Sequence, residues 1–230
     1  MSSWRAAYRI GIAGLALLSM LAALYAAFVY APTEKTMGDV QRIFYFHVSA
    51  WWVSGLAFTT CAVASIAYLL TRRLQYDRVA VSGVEIGVLF TTIGLVTGTI
   101  WAKPIWGIWW TWDIRLTTAF VLWLIFVVYL MLRQYIADEH KRASLSAVTA
   151  FFGFIDIPIV WFSIRWWRTQ HPAPVIAGGE GSGLHPDMAT AFLVCLTAFF
   201  FLFLWLMERR LALARTQETI DSLYKRLEAN

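Results

Sequence analysis

The sequence predicts an all-α integral membrane protein, a bundle of six transmembrane helices with an outward amphipathic, tryptophan-rich segment between spans three and four. Three observations carry this. The 230 residues are 60% hydrophobic and only 14% charged, where a soluble domain carries about 25% charged residues. Six stretches are apolar over roughly the ~20 residues that cross a bilayer. The tryptophans gather on one side of the resulting topology.

The spans fall at 9–30, 48–70, 83–101, 116–135, 145–164 and 188–207. The first follows Arg5 and Arg9, as a signal peptide would. Its apolar run exceeds the ~7–15 residues of a signal core and no small-x-small cleavage site follows, so it reads as a retained helix. Residues 1–207 therefore form a six-span membrane domain, and 208–230 a charged, helix-prone tail. In the tail Leu213, Ile220 and Leu227 recur every seven residues with Leu223 alongside. Two heptads are short for a coiled coil, and the pattern suits an amphipathic helix or a partner-binding one.

Lysine and arginine orient the bundle, because cytoplasmic loops are enriched in them. Six spans put both termini on one side, with Arg72, Arg73, Arg78, Arg133, Lys141, Arg142 and the basic tail. The other side holds fewer, namely Lys35, Arg42, Lys103, Arg115, Arg165 and Arg168. Both termini are expected to be cytoplasmic. Basic cytoplasmic loops account for the net charge of +5, and no nucleic-acid partner is expected. Cys61 and Cys195 each lie inside a span, without C-x-x-C or C-x-x-C-H, as small packing residues do. The run AGGEGSG in the last outward loop lacks the G-K-[ST] ending of a phosphate loop and reads as a loop tip.

Tryptophan normally populates both membrane interfaces. Here Trp51, Trp52, Trp101, Trp106, Trp109, Trp110, Trp112, Trp161, Trp166 and Trp167, out of 13 in all, lie at or beyond the outward ends of spans. If 106–113 is helical, Trp106, Trp109, Trp110 and Asp113 share one face. Such a slab of indole suits a flat, π-rich ligand, and Gly107 allows close backbone approach. His47 and His171 are also outward, and a neutral imidazole ligates haem iron well. His185 competes with His171 for a second ligand position. Lys103, Arg115, Arg165 and Arg168 could pair with carboxylates or with lipid phosphate. His140, in a charged cytoplasmic loop, reads as solvated. Glu85 lies near the cytoplasmic end of span three. Asp156 sits mid-span beside Pro158, where it could satisfy backbone groups the proline leaves free.

The segment WGIWWTWDIRLT, residues 106–117, resembles the WWD signature of haem-handling membrane proteins. In two branches of that group a proline follows the aspartate. Asp113 is instead followed by Ile-Arg-Leu-Thr, which is similar to the cytochrome c maturation protein C (haem exporter protein C) family. TGTIWAKP before it, RIFYFHVSAWW around His47 and IPIVWFSIRWWRTQHP around His171 resemble the same family, over about residues 37–172.

The resemblance implies haem b as a non-covalently held, transported ligand. By motif the axial histidines fall on His47 and His171, which favours His171 over His185. The binding segment falls on Trp106, Gly107, Trp109, Trp110, Trp112, Asp113, Arg115 and Leu116. It also implies the bacterial cytoplasmic (inner) membrane and delivery of haem to a membrane-anchored periplasmic haem chaperone. ABC transporter subunits (an ATPase and a membrane subunit) and a small single-span accessory protein complete the family's complex. This chain has no nucleotide motif, so it is expected to be a binding and transfer protein, with ATP hydrolysed by its partners. One alternative is a direct cytochrome c haem-attachment synthase. That would need a large outward domain, and the longest outward loop is 165–187. The other is a transporter for a different aromatic ligand, whose site belongs near the midplane.

Overall fold

A computed structural model describes residues 3–228 apart from 168, 172–174 and 176–182. Arg168 and most of the loop-five glycine run therefore lie outside the described residues. Six helices dominate the rest: α1 (Ser3–Tyr25, prolonged by a π turn to Tyr30), α2 (Ile43–Thr71), α3 (Leu74–Trp106), α4 (Ile114–Tyr135), α5 (Glu139–Trp166) and α6 (Pro186–Glu228). All six are long and apolar enough to cross a membrane, as the sequence predicts.

The helices overrun the apolar runs at their ends. α2 starts before residue 48, and α3 runs from 74 to 106 around an apolar stretch of 83–101. Polar and aromatic side chains at the membrane boundary interrupt the hydropathy signal without interrupting the backbone hydrogen bonds. α6 has 43 residues and continues unbroken past residue 207. At 1.5 Å per residue it is about 65 Å long, against ~30 Å of hydrocarbon. Its last part keeps Leu213, Ile220, Leu223 and Leu227 exposed.

α2 is the hub. It packs most extensively on α3, and also on α5 and α6, while α1 pairs with α6 and α4 with α5. One of the buried clusters is built on a stack of two rings, Phe58 of α2 on Phe126 of α4, with centroids 3.7 Å apart and planes within 6°. Glycines bound the stack on both sides. A Cβ at Gly87 of α3 would lie 2.3 Å from the Phe58 ring, and one at Gly153 of α5 would lie 2.6 Å from the Phe126 ring. The two rings thus fill the space that the two glycines leave. Neither ring can retreat, because each is backed by the other. Gly153→Ala is therefore expected to overpack the core and cost about 1–3 kcal/mol, read as earlier thermal unfolding in detergent; an unchanged transition would mean that the stack has slack.

Leu17, Leu18, Leu21, Phe151 and Phe152 are exposed on the outside of α1 and α5, as a lipid-facing surface requires. Cys61 and Cys195 are free and buried, in keeping with their packing role. On the face bearing the termini, His140 is held rather than merely solvated: Tyr68 Oη donates to its carbonyl at 3.0 Å and lies 3.2 Å from Nδ1. Glu85 is bound by Arg210 of α6, and Arg9 of α1 pairs with Glu208 of α6 at 2.6 Å.

Candidate functional site

On the opposite face, the starts of α2, α4 and α6 meet the ends of α3 and α5. The segment between α3 and α4 is not the helix that the 106–113 spacing suggested. α3 ends at Gly107, whose φ of +77° is left-handed and whose N–H bonds the Lys103 carbonyl at 3.0 Å. Glycine takes this conformation without the Cβ penalty other residues incur. α4 begins only after Asp113, whose carboxylate accepts the Leu116 N–H at 3.0 Å as an N-cap. Residues 107–113 are therefore a loop between two caps, and Trp106, Trp109, Trp110 and Asp113 do not share a helical face.

The loop still presents indole. Trp112 is 73% exposed and Trp109 55%. Trp106 and Trp110 are half-buried. Trp110 packs edge-on against Trp112 and Phe120, with centroids 5.6 and 6.2 Å away. Lys103 caps the segment, donating to the Gly107 carbonyl at 2.8 Å with its ammonium 5.8 Å from the Trp109 ring. Among the described residues no acceptor meets the buried indole N–H groups of Trp101 and Trp110.

His47 lies in the first turns of α2 and is only 9% exposed. Its ring is flanked edge-on by Trp101 at 5.8 Å and Trp51 at 6.3 Å. Its Nδ1 is 3.0 Å from Thr97 Oγ1 of α3. The Thr97 hydroxyl spends its proton on the carbonyls of Ile93 at 2.6 Å and Gly94 at 3.2 Å. Its oxygen is thus left to accept from His47 Nδ1–H. A neutral imidazole so held carries its lone pair on Nε2, the nitrogen a metal would use. Gly98, one residue on, makes room for the ring: a Cβ there would lie 2.9 Å from His47 Cε1. Thr97, Gly98, Trp51 and Trp101 build this seat. Thr97 and Gly98 belong to the TGTIWAKP segment, but nothing in their local pattern marks them as partners of a histidine 50 residues earlier.

His171 follows α5 and is half-buried, its own N–H donating to Thr169 Oγ1 at 3.1 Å. His171 and Arg115 both lie within electrostatic range of the His47 ring. His185 is placed differently. It is exposed at the start of α6, where its Nδ1 accepts the Asp187 N–H at 3.4 Å and lies 3.6 Å from the Asp187 carboxylate. Arg115 of α4 does not pair with Asp113; its Nη1 donates to the Val160 carbonyl of α5 at 3.0 Å. Arg42 is likewise structural, tying Asp39 and the carbonyls of Ala27 and Ala31. Asp156 makes no bond to the groups freed by Pro158; among the described residues its buried Oδ2 has no hydrogen-bond partner.

Fold and site define the class: an all-helical integral membrane protein of six spans, whose aromatic and imidazole groups converge at one membrane face. The profile of the heme exporter protein C family matches residues 2–224, and the chain belongs to that family. It is 35% identical over 180 residues to a putative cytochrome c biosynthesis ccmC-like mitochondrial protein of Marchantia polymorpha, covering 78% of this chain and 76% of the relative. It is 35% identical over 177 residues to heme exporter protein C of Bradyrhizobium diazoefficiens, 76% and 67% of the two chains. Heme exporter protein C of Escherichia coli matches at 34% over 145 residues, 63% and 59% of the two chains. The chain is thus a transmembrane protein of cytochrome c biogenesis.

Proposed function

We propose that this protein holds haem b at the membrane face opposite its termini and delivers it to a membrane-anchored periplasmic haem chaperone. His47 and His171 serve as the axial ligands. Trp106, Gly107, Trp109, Trp110, Trp112, Asp113, Arg115 and Leu116 form the surrounding platform. The observation that carries this reading is the seat of His47: a buried imidazole with Nδ1 tied to Thr97, between two indoles, with His171 and Arg115 within electrostatic range. The exposed faces of Trp109 and Trp112 supply flat apolar surface of the kind a porphyrin covers. The engagement of His185 with Asp187 favours His171 as the second ligand. Arg115 serves a haem carboxylate by giving up its bond to the Val160 carbonyl.

The protein lies in the bacterial inner membrane with both termini cytoplasmic, in keeping with the crowding of lysine and arginine on that face. The sequence contains no nucleotide-binding motif, so the energy for releasing the loaded chaperone comes from ABC transporter subunits, an ATPase and a membrane partner, with a small single-span accessory protein. The test is the visible absorption spectrum of detergent-purified protein supplied with haem, wild type beside His47→Ala and His171→Ala. A Soret band that weakens or shifts in both variants is expected. A wild type that stays haem-free would overturn the reading. A spectrum altered by His47→Ala alone would transfer the second ligand to His185.

A further inference from the structure

At the other end of the bundle, on the face bearing the termini, α3, α4, α5 and α6 line an open cleft of about 370 Å³. Its lining includes Glu85, Arg133, Gln134, Arg142 and Arg210, with Val81 and Leu130 as an apolar wall. Two of the three guanidinium groups are already neutralised. Arg133 makes paired 2.7 Å bonds to the two oxygens of Asp77, and Arg210 forks onto Glu85. Arg142 is different. Among the described residues its Nη1 reaches only the Ile136 carbonyl, at 3.4 Å, and its Nε is buried with no acceptor. Among the described residues no carboxylate pairs with it. The cleft therefore carries one uncompensated positive charge on a partly desolvated fork of donors, and a buried charge is costly until an opposite charge meets it.

The geometry points to a site for the phosphate of an anionic phospholipid. A guanidinium fork matches phosphate oxygens in pairs, and Gln134 adds an amide donor at the rim. The apolar wall of Val81 and Leu130 faces the same space, as the glycerol and upper acyl carbons of a lipid require. The cleft opens where the helices leave their apolar stretch, at the depth of a headgroup, and basic pockets between transmembrane helices recognise such headgroups. A haem carboxylate or a free phosphate would meet the same arginine, and the experiment separates these sources.

Delipidated protein is offered phosphatidylglycerol or phosphatidylcholine in detergent micelles, and retained lipid is read by native mass spectrometry. One phosphatidylglycerol per chain is expected, preferred about fivefold over phosphatidylcholine, the effect of roughly one basic residue at an anionic membrane surface. Arg142→Gln and Gln134→Glu should each reduce that retention about fivefold. Arg209→Gln, an exposed neighbour outside the cleft, should not. Gln134 is exposed, so its variant decides the matter alone if Arg142→Gln fails to fold. Equal retention of the two lipids, or an equal fall in all three variants, would overturn the site. Displacement of the lipid by millimolar inorganic phosphate would overturn the lipid assignment in favour of a free anion. Displacement by haem would overturn it in favour of the carboxylate of the cargo. None of these outcomes depends on His47 or His171, so the failure of this site leaves the haem reading standing.

Discussion

Asp77→Ala is expected to be the most destabilising single change in the bundle. Asp77 sits in the first turn of α3 and Arg133 in the last turn of α4, with side chains only 9% and 13% exposed. The two meet through parallel 2.7 Å bonds, and Arg133 Nη1 also donates to Ser146 of α5 at 3.1 Å. One guanidinium thus fastens three helices. Removing the carboxylate leaves a largely buried guanidinium on the cleft wall without its counter-charge, and breaking one partner of a buried pair costs about 3–5 kcal/mol. The pair as a whole contributes far less than that, because its attraction is offset by the desolvation of both charges. Asp77→Leu combined with Arg133→Met should therefore recover most of what Asp77→Ala loses. Reversible unfolding in mixed detergent and SDS micelles measures both. A single variant within 1 kcal/mol of wild type, roughly the worth of a surface ion pair, would show that the pair is solvated.

Hydropathy makes the six helices legible, because a bilayer leaves a backbone few alternatives to a continuous helix. Where each helix stops was harder to see. Trp106 and Asp113 are seven residues apart and read as one helical face, yet the residues at the two ends carry the contrary message. Gly107 is the residue type that closes helices in the left-handed region. Asp113, three before Leu116, is the type that opens them. Spacing argued for a helix, and capping chemistry, which decides helix ends, argued against it. Asp156 misled for a related reason. A mid-span carboxyl next to a proline suggests local repair, but whether it reaches a freed backbone group depends on which way α5 turns, and the turn is set by the packing of Gly153 on Phe126.

The candidate site divides in the same way. His47, His171 and the tryptophans announce themselves by residue type and by their outward position. Thr97 does not, since its hydroxyl returns to its own helix backbone as those of Thr92 and Thr99 do, and only its added contact with the imidazole sets it apart. Only the close packing of α2 on α3, with glycines at 94 and 98 thinning the interface, turns one of these threonines toward an imidazole. The cleft arginines were counted in the sequence only as orientation signals. The difference between Arg142 and its neighbours appears once Asp77 and Glu85 are seen to be spent on Arg133 and Arg210.

Thr97→Val should reduce haem retention about 10–100-fold, the usual range when the outer partner of a ligating histidine is lost. Valine has nearly the shape of threonine, so the packing against His47 survives while the Thr97 acceptor is lost and the imidazole keeps only the Gly94 carbonyl. The imidazole is then free to turn or to exchange tautomers, and a ring that places its proton on Nε2 presents no lone pair to iron. Thr97→Ser keeps the oxygen and should bind as wild type does, which separates the hydrogen bond from side-chain bulk. Haem titration followed in the Soret band gives the affinity. The reduction potential of the bound haem gives a second reading, because the hydrogen bond to Nδ1 raises the basicity of the ligand and its loss should move the potential upward. Gly98→Ala supplies the steric counterpart, since its methyl would press on His47 Cε1 from 2.9 Å; that variant should also lose haem, but serine at position 97 should not relieve it. Equal affinity and equal potential in wild type, Thr97→Val and Thr97→Ser would mean that His47 is oriented by its indole walls and the Gly94 backbone without the Thr97 hydroxyl. A loss shared equally by the valine and serine variants would place the effect in packing rather than in the hydrogen bond.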